Sequence, residues 1–209
     1  MGLTVRKQSK TCIAVIKNRS GKLLMAGDRR VSSGWDFSYE CPTPKIIKKD
    51  NGMLMGGSGD SGLCSAIIEA FNPPDIEVDV ITYMYHKFLP SLDKFLKGLP
   101  GKKDAHNLLH LGKEEGFYGI VGIEGTAWTL QLSESCSNID NIPGYGRIDI
   151  DRIPTPFAVG CGTVPAYMYL LTKQKERGYN TREDLIEAVL KANETSPGCG
   201  GRPDTIQES

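Results

Sequence analysis

The order of its elements constrains this chain more than any single motif, because strands come in antiparallel blocks separated by pairs of helices. Residues 11–17 (TCIAVIK) are apolar and β-branched and read as a strand, Asn18-Arg19-Ser20-Gly21 as a turn, and 22–27 (KLLMAG) as the return. A polar loop is expected from Asp28 to Pro44. A second hairpin pairs Lys45–Lys49 with Met53–Ser58 across Asp50-Asn51-Gly52, where Asn-Gly suits a tight turn. GGSGDSG (56–62) then runs into an apolar helix near 60–71, stopped by Pro73-Pro74. A longer helix is expected over 78–97, with Val80, Tyr83, Met84, Phe88, Leu92 and Phe95 near helical spacing. Residues 116–123 and 127–133 form a third hairpin across Glu124-Gly125. Residues 134–156 read as irregular, with a short strand at Ile148–Ile150. A strand at 157–160, helices near 164–177 and 181–193, and a last strand at Asp204-Thr205-Ile206 complete the chain. Thr181-Arg182-Glu183-Asp184 offers an N-cap with acidic residues in the first turn.

A parallel α/β chain alternates strand and helix one for one. Paired helices between antiparallel blocks fit another arrangement: two antiparallel sheets between two helix layers. The expected class is therefore α+β, a four-layer α-β-β-α sandwich. At 209 residues the chain suits one domain that can bury its core without disulfides. Its 25 Lys and Arg balance 25 Asp and Glu, which leaves no basic excess to draw nucleic acid or an anionic membrane. No apolar run approaches the ~20 residues of a membrane span, and Met1–Lys10 lacks the apolar core of a signal peptide. The expectation is a soluble, cytoplasmic protein. Its six cysteines (12, 41, 64, 136, 161 and 199) form no CxxC pair and read as reduced structural thiols, not a zinc site.

The positions that could carry chemistry fall in a fixed order. Thr11-Cys12-Ile13 opens the first strand, Ala26-Gly27-Asp28 closes the first hairpin, and Lys45 opens the second. Ser58-Gly59 ends that hairpin, Gly160-Cys161-Gly162 precedes the third helix, and Cys199-Gly200-Gly201 precedes the last strand. In this order the motifs resemble those of proteasome β subunits and, more closely, the HslV peptidase, both N-terminal-nucleophile hydrolases. The similarity spans most of the chain, with 99–156 matching only as strands and loops. The resemblance implies residues 1–10 as a propeptide or N-terminal extension and 11–209 as the hydrolase domain. It implies Thr11 as the nucleophile, Asp28 and Lys45 as its charge partners, Gly59 as an oxyanion donor, and no cofactor. It also implies peptide or unfolded-protein substrates, homo-oligomeric six- or seven-membered rings, and an ATP-dependent unfoldase partner.

The chemistry suits these residue types. A threonine hydroxyl is a weak nucleophile until a base removes its proton, and an α-amine freed at Thr11 would titrate near ~7.7–8.0. An ammonium at Lys45 would lower the pKa of the hydroxyl and the amine, and Asp28 would anchor it. The chain also departs from the family pattern. Lys10 precedes Thr11 where active members with a propeptide carry Gly, and the Thr11–Asp28 interval is one residue longer than the family's, so Cys12 is an alternative nucleophile. Cys161 and Cys199 replace supporting serines, and Ser196 stands where an Asp is expected, with Glu194 nearby.

Other readings remain at this level. Taken singly, Thr11 is a buried strand residue, Asp28 a turn former and Lys45 a solvated edge charge. A catalytically silent, ring-forming subunit of the same fold would suit an intact Met1–Lys10. Gly57-x-Gly59-x-x-Gly62 has the form of a dinucleotide-binding turn, with Ile76–Val80 as its second strand. That reading requires a parallel neighbour for the preceding strand, which the Asn-Gly hairpin opposes. His106 and His110 stand four apart, but no Glu follows His106 to complete a zinc-protease motif. They read as solvated histidines, leaving no metal site.

Overall fold

The computed structural model describes residues 11–33, 37–59, 61–98, 117–133 and 147–209. Eleven strands and four helices follow one another among these. Strands β1 (Cys12–Lys17), β2 (Leu23–Gly27), β3 (Arg30–Ser33), β4 (Phe37–Glu40), β5 (Ile46–Lys48) and β6 (Leu54–Gly59) come first. Helix α1 starts at Ser61–Cys64 and continues through Ser65–Ala70 in wider π-helical turns. Helix α2 runs through Val80–Tyr83, a π-helical Met84–Phe88 and Leu89–Gly98. Strands β7 (Phe117–Ile123), β8 (Thr126–Ser133), β9 (Arg147–Ile153) and β10 (Phe157–Gly160) precede α3 (Thr163–Arg177), α4 (Arg182–Thr195) and β11 (Asp204–Gln207).

The strands form a four-stranded sheet in the order β10-β1-β2-β11, a five-stranded sheet β5-β6-β7-β8-β9, and a separate β3-β4 pair. Every pairing is antiparallel. This is the expected α-β-β-α sandwich, and its core divides accordingly into three apolar clusters. Between α1, α2 and the larger sheet lie Met55, Ile67, Phe88, Phe117, Trp128 and Leu130. Between the sheets lie Ile13, Val15, Met25, Leu54 and Ile120. Between the smaller sheet and α3 and α4 lie Cys12, Ala14, Ile16, Leu170, Leu185 and Val189. Strand pleating explains the partition, because alternate side chains of β1 point to opposite faces and both faces are covered. An inner strand of such a sandwich reads as continuously apolar, as CIAVIK does.

Local signals set several boundaries. Gly52 takes φ +86° in the β5–β6 turn, where its N–H donates to the Lys49 carbonyl at 2.9 Å. Thr181 caps α4 reciprocally: its hydroxyl accepts from Asp184 N–H at 3.2 Å, and Asp184 accepts from Thr181 N–H at 2.7 Å. Gly178, in the left-handed conformation at φ +83°, ends α3.

Two expectations need correction, and one alternative falls away. The polar loop after Asp28 contains the β3–β4 pair, whose polar sequences carry little strand signal. The short strand at 148–150 is the seven-residue β9, paired with β8 from Ala127↔Ile153 to Ser133↔Arg147. It is an edge strand, so Asp149 and Arg152 interrupt its apolar pattern without breaking the ladder. The dinucleotide-binding reading is excluded, because β6 is antiparallel to both neighbours and 76–79 form no strand. His106 and His110 lie outside the described residues. Among the described residues, no helix is long and apolar enough to cross a membrane.

Leu54, fully buried between the sheets, and Met168, 56% exposed on α3, offer a test of the layer assignment. Leu54→Ala is expected to cost about 2–5 kcal/mol by chemical denaturation. Met168→Ala is expected to stay within about 0.5 kcal/mol of the unchanged protein. Equal costs would contradict the layering.

Candidate active site

The site forms where the beginning of β1, the end of β2 and the start of β5 converge. Asp28 follows β2 directly and its side chain is fully buried. One carboxylate oxygen, Oδ1, accepts from Cys12 N–H at 2.9 Å and from Lys45 Nζ at 3.0 Å. The other, Oδ2, accepts from Gly200 N–H at 3.1 Å and Arg30 N–H at 3.3 Å. Burial pushes the Asp28 carboxyl up from its ordinary value, while Lys45 and the Cys12 and Gly200 N–H groups pull it back. Lys45 is not a solvated edge charge: its side chain is 11% exposed. Its ammonium donates to Thr11 Oγ1 at 3.0 Å and also to the Arg30 carbonyl.

Thr11 is 6% exposed, and its carbonyl accepts from Gly162 N–H at 3.3 Å. That closeness explains Gly160. The residue sits at φ +93°, paired with Cys12, and a Cβ on it would fall 2.0 Å from the Thr11 carbonyl oxygen. Ser58 Oγ lies 3.3 Å from the same point, bringing the end of β6 to this edge of β1. Gly59 follows Ser58 with φ +124°. It stands two residues beyond Gly57, whose N–H donates to the Lys45 carbonyl at 3.2 Å.

The pleat separates the two nucleophile candidates. Cys12 is fully buried against the helix layer, and its Sγ is directed at the Gly162 carbonyl, 3.7 Å away. Burial, reinforced by Asp28, pushes its thiol far up, away from the thiolate a nucleophile needs. The Lys45 ammonium meets Thr11 Oγ1 instead. Cys161, in the turn after β10, lies 3.1 Å from Cys199, sulfur to sulfur. Hydrogen bonding of its sulfur with Cys199 and with Thr11 N–H brings the Cys161 thiol down to about 7. The same contact and burial push Cys199 up. Ser196 stands behind them, donating from Oγ to the Cys161 carbonyl at 3.3 Å. Glu194 does not join this group, being exposed and paired with Lys191 at 3.0 Å.

Thr11, Asp28, Lys45, Cys161 and Cys199 are thus brought together, with Ser196 one contact away. Sequence reasoning missed the backbone partners, the Arg30 carbonyl and the Gly200 N–H. They are set by the path of the chain, and residue type carries no signal for them. A cleft of about 360 Å³ bordered by Lys17, Gly125, Arg152 and Thr155 lies at the far end of β1, away from this cluster.

A four-layer sandwich with this strand order, and a lysine and threonine meeting at one end of β1, has the proteasome-like N-terminal-nucleophile hydrolase fold. Solved structures show the same fold. BPH, a bacterial proteasome homologue of Thiobacillus denitrificans solved in complex with epoxomicin, superposes with TM-score 0.67 at 12% identity, covering 95% of this chain and 98% of that one. HslV of Trypanosoma brucei gives 0.59 at 15% identity, covering 95% and 99%. Anbu, described as an ancestral β subunit, from Yersinia bercovieri gives 0.55 at 10% identity, covering 94% and 80%. No family model matches the sequence, and no curated protein does. The likeness is one of fold.

The thiols supply a pH test. The contacts that lower the Cys161 thiol favour its thiolate, so its reactivity is expected to extend to lower pH than that of an ordinary thiol. Iodoacetamide labelling of native Cys161, followed by peptide mapping, is expected to rise through pH about 7 while Cys12 stays unlabelled. A midpoint near 9.0 would mean that the Cys199 and Thr11 contacts do not hold the sulfur as described.

Proposed function

We propose that this chain is a threonine-type peptidase subunit of a self-compartmentalising, proteasome- or HslV-like particle, with Thr11 as its nucleophile once the Lys10–Thr11 bond is cleaved. The observation that carries the reading is Lys45 Nζ, 3.0 Å from Thr11 Oγ1 and 3.0 Å from Asp28 Oδ1. A cation fixed beside the hydroxyl stabilises the alkoxide character that develops as its proton leaves. The freed Thr11 amine takes that proton, directly or through a water, and Oγ1 attacks the carbonyl carbon of the scissile peptide. Gly59 N–H serves the oxyanion. The departing amine takes the proton, and water then hydrolyses the acyl ester. Asp28 acts on Lys45 and holds it, and so is a positioning residue. The substrates are unfolded or delivered polypeptides. Copies of the chain assemble into rings, with an ATP-driven unfoldase as the partner that such an assembly would use.

A second reading is a catalytically silent, ring-forming subunit, favoured by the burial of Thr11 at 6% exposure. The two readings part at the N-terminus. For the peptidase, intact mass is expected to find Thr11 as the first residue, and epoxomicin is expected to add covalently to it. Thr11→Ala should lower hydrolysis of unfolded protein by about 10³-fold or more with assembly intact. Lys45→Ala should reduce kcat far more than it changes KM, because the charge acts on the nucleophile and not on bound peptide. Its folding must be checked alongside, since Asp28 keeps three N–H donors but loses the Lys45 cation, at a cost of up to about 3–5 kcal/mol. Unchanged turnover in Thr11→Ala would remove the nucleophile assignment. An uncleaved chain that epoxomicin leaves unlabelled would favour the silent subunit.

A further inference from the structure

Two sulfurs meet behind Thr11, and the peptidase chemistry uses neither as a reacting atom. Cys161 sits in the turn between β10 and α3, and Cys199 in the loop between α4 and β11, 38 residues later. Local bonds hold both segments in place. Gly162 N–H donates to the Thr11 carbonyl at 3.3 Å, and Cys199 N–H to the Ser196 carbonyl at 2.9 Å. Arg30 Nη1 donates to the Cys199 carbonyl at 3.4 Å, and Ser196 Oγ to the Cys161 carbonyl at 3.3 Å. The sulfurs lie 3.1 Å apart as free thiols. A disulfide needs about 2.05 Å, so about 1 Å of side-chain movement would join them.

We propose that Cys161 and Cys199 form a reversible redox-modification site, a dithiol that a peroxide-class oxidant closes to a disulfide behind Thr11 and a thiol reductant reopens. The Cys161 thiolate attacks one oxygen of hydrogen peroxide. The O–O bond breaks, hydroxide leaves and is protonated to water, and Cys161 becomes a sulfenic acid. The Cys199 sulfur then attacks the sulfenic sulfur, and the displaced hydroxide takes the Cys199 proton as a second water. Two thiols and one peroxide thus give one disulfide and two waters.

The division of roles follows from surroundings. Cys161 is partly exposed, and its sulfur accepts from Cys199 and from Thr11 N–H, which favours the attacking thiolate. Cys199, 1% exposed, is the resolving thiol. Cys12 is fully buried and directed at the Gly162 carbonyl, so it stays out of the exchange. Closure replaces an anionic acceptor of the Thr11 N–H with a neutral disulfide sulfur, a much poorer one. It also removes a negative charge near Asp28 and Lys45, two of the charges that influence the Cys161 thiol. An effect on turnover rests on the peptidase reading; the disulfide itself does not.

The test treats the reduced full-length protein with hydrogen peroxide, blocks remaining thiols with N-ethylmaleimide under denaturing conditions, and maps the digest by mass spectrometry. The expected product is a Cys161–Cys199 cross-linked peptide, two hydrogens lighter, that dithiothreitol separates, with Cys12 recovered as the maleimide adduct. In Cys199→Ser, dimedone is expected to trap the sulfenic acid on Cys161. Absence of the cross-link in protein shown to be folded by circular dichroism would overturn the proposal, as would pairing of Cys161 with Cys12 or Cys41. Peptide hydrolysis is assayed on the same samples. A cross-link in a protein without hydrolysis in either state upholds the redox site and removes the peptidase reading. Hydrolysis without a cross-link does the reverse.

Discussion

The Asp28 carboxylate is the contact on which this end of the molecule depends. A carboxylate taken wholly out of water loses several kcal/mol of hydration and is tolerated only when its lone pairs are filled. Here four donors fill them, and each comes from a different part of the chain: Cys12 in β1, Arg30 in β3, Lys45 ahead of β5 and Gly200 before β11. Residues separated by up to 172 positions are fixed relative to one another by one buried charge. Arg29 reinforces the junction through a two-pronged contact with Asp204 at 2.7 and 2.8 Å. Lys45 is oriented because it completes this carboxylate, and its remaining donors reach Thr11 and the Arg30 carbonyl.

The backbone must come close for this to work, which gives particular glycines their meaning. At Gly160 any side chain would strike the Thr11 carbonyl, so β10 could not pair at Cys12 and still turn into α3. At Gly162 a Cβ would lie 2.7 Å from the Cys12 Cβ and 2.9 Å from Cys199 Sγ. Strand parity does the rest. Cys12, Ala14 and Ile16 face the helices while Ile13 and Val15 face the opposite sheet, so adjacent residues at the start of β1 occupy unlike environments. A one-residue change in register would exchange the roles of Thr11 and Cys12, which is why spacing alone left both open.

Layer order was legible in the sequence because inner strands such as CIAVIK are apolar on both faces and the helices carry clear caps and stops. Thr181 and Asp184 announced α4, and Asn51-Gly52 announced the β5–β6 turn. What escaped detection has the opposite character. Strands β3, β4 and β9 are polar or charged, and their pairing is recorded in backbone bonds that no side-chain pattern reports. The grouping of Thr11, Asp28 and Lys45 was legible only through the order of motifs that the resemblance rests on, because each residue type taken singly reads as structural. The Arg30 carbonyl and Gly200 N–H, which complete the charges, belong to the fold and not to residue type.

The two thiols beside Thr11 differ from hydroxyls in their electrostatics more than in their shape. A serine hydroxyl is neutral near neutral pH and can only donate or accept, whereas a thiol held near about 7 changes charge within that range. When Cys161 is ionised, the Lys45 ammonium has a second anionic neighbour acting through space, besides Asp28 in direct contact. A negative charge on Cys161 opposes development of an alkoxide on Thr11, whereas the Lys45 ammonium in contact with Oγ1 favours it. The two effects act on the same proton transfer in opposite senses. The net influence of the sulfurs depends on whether Cys161 is thiolate, thiol or disulfide, which makes its state a variable of the site.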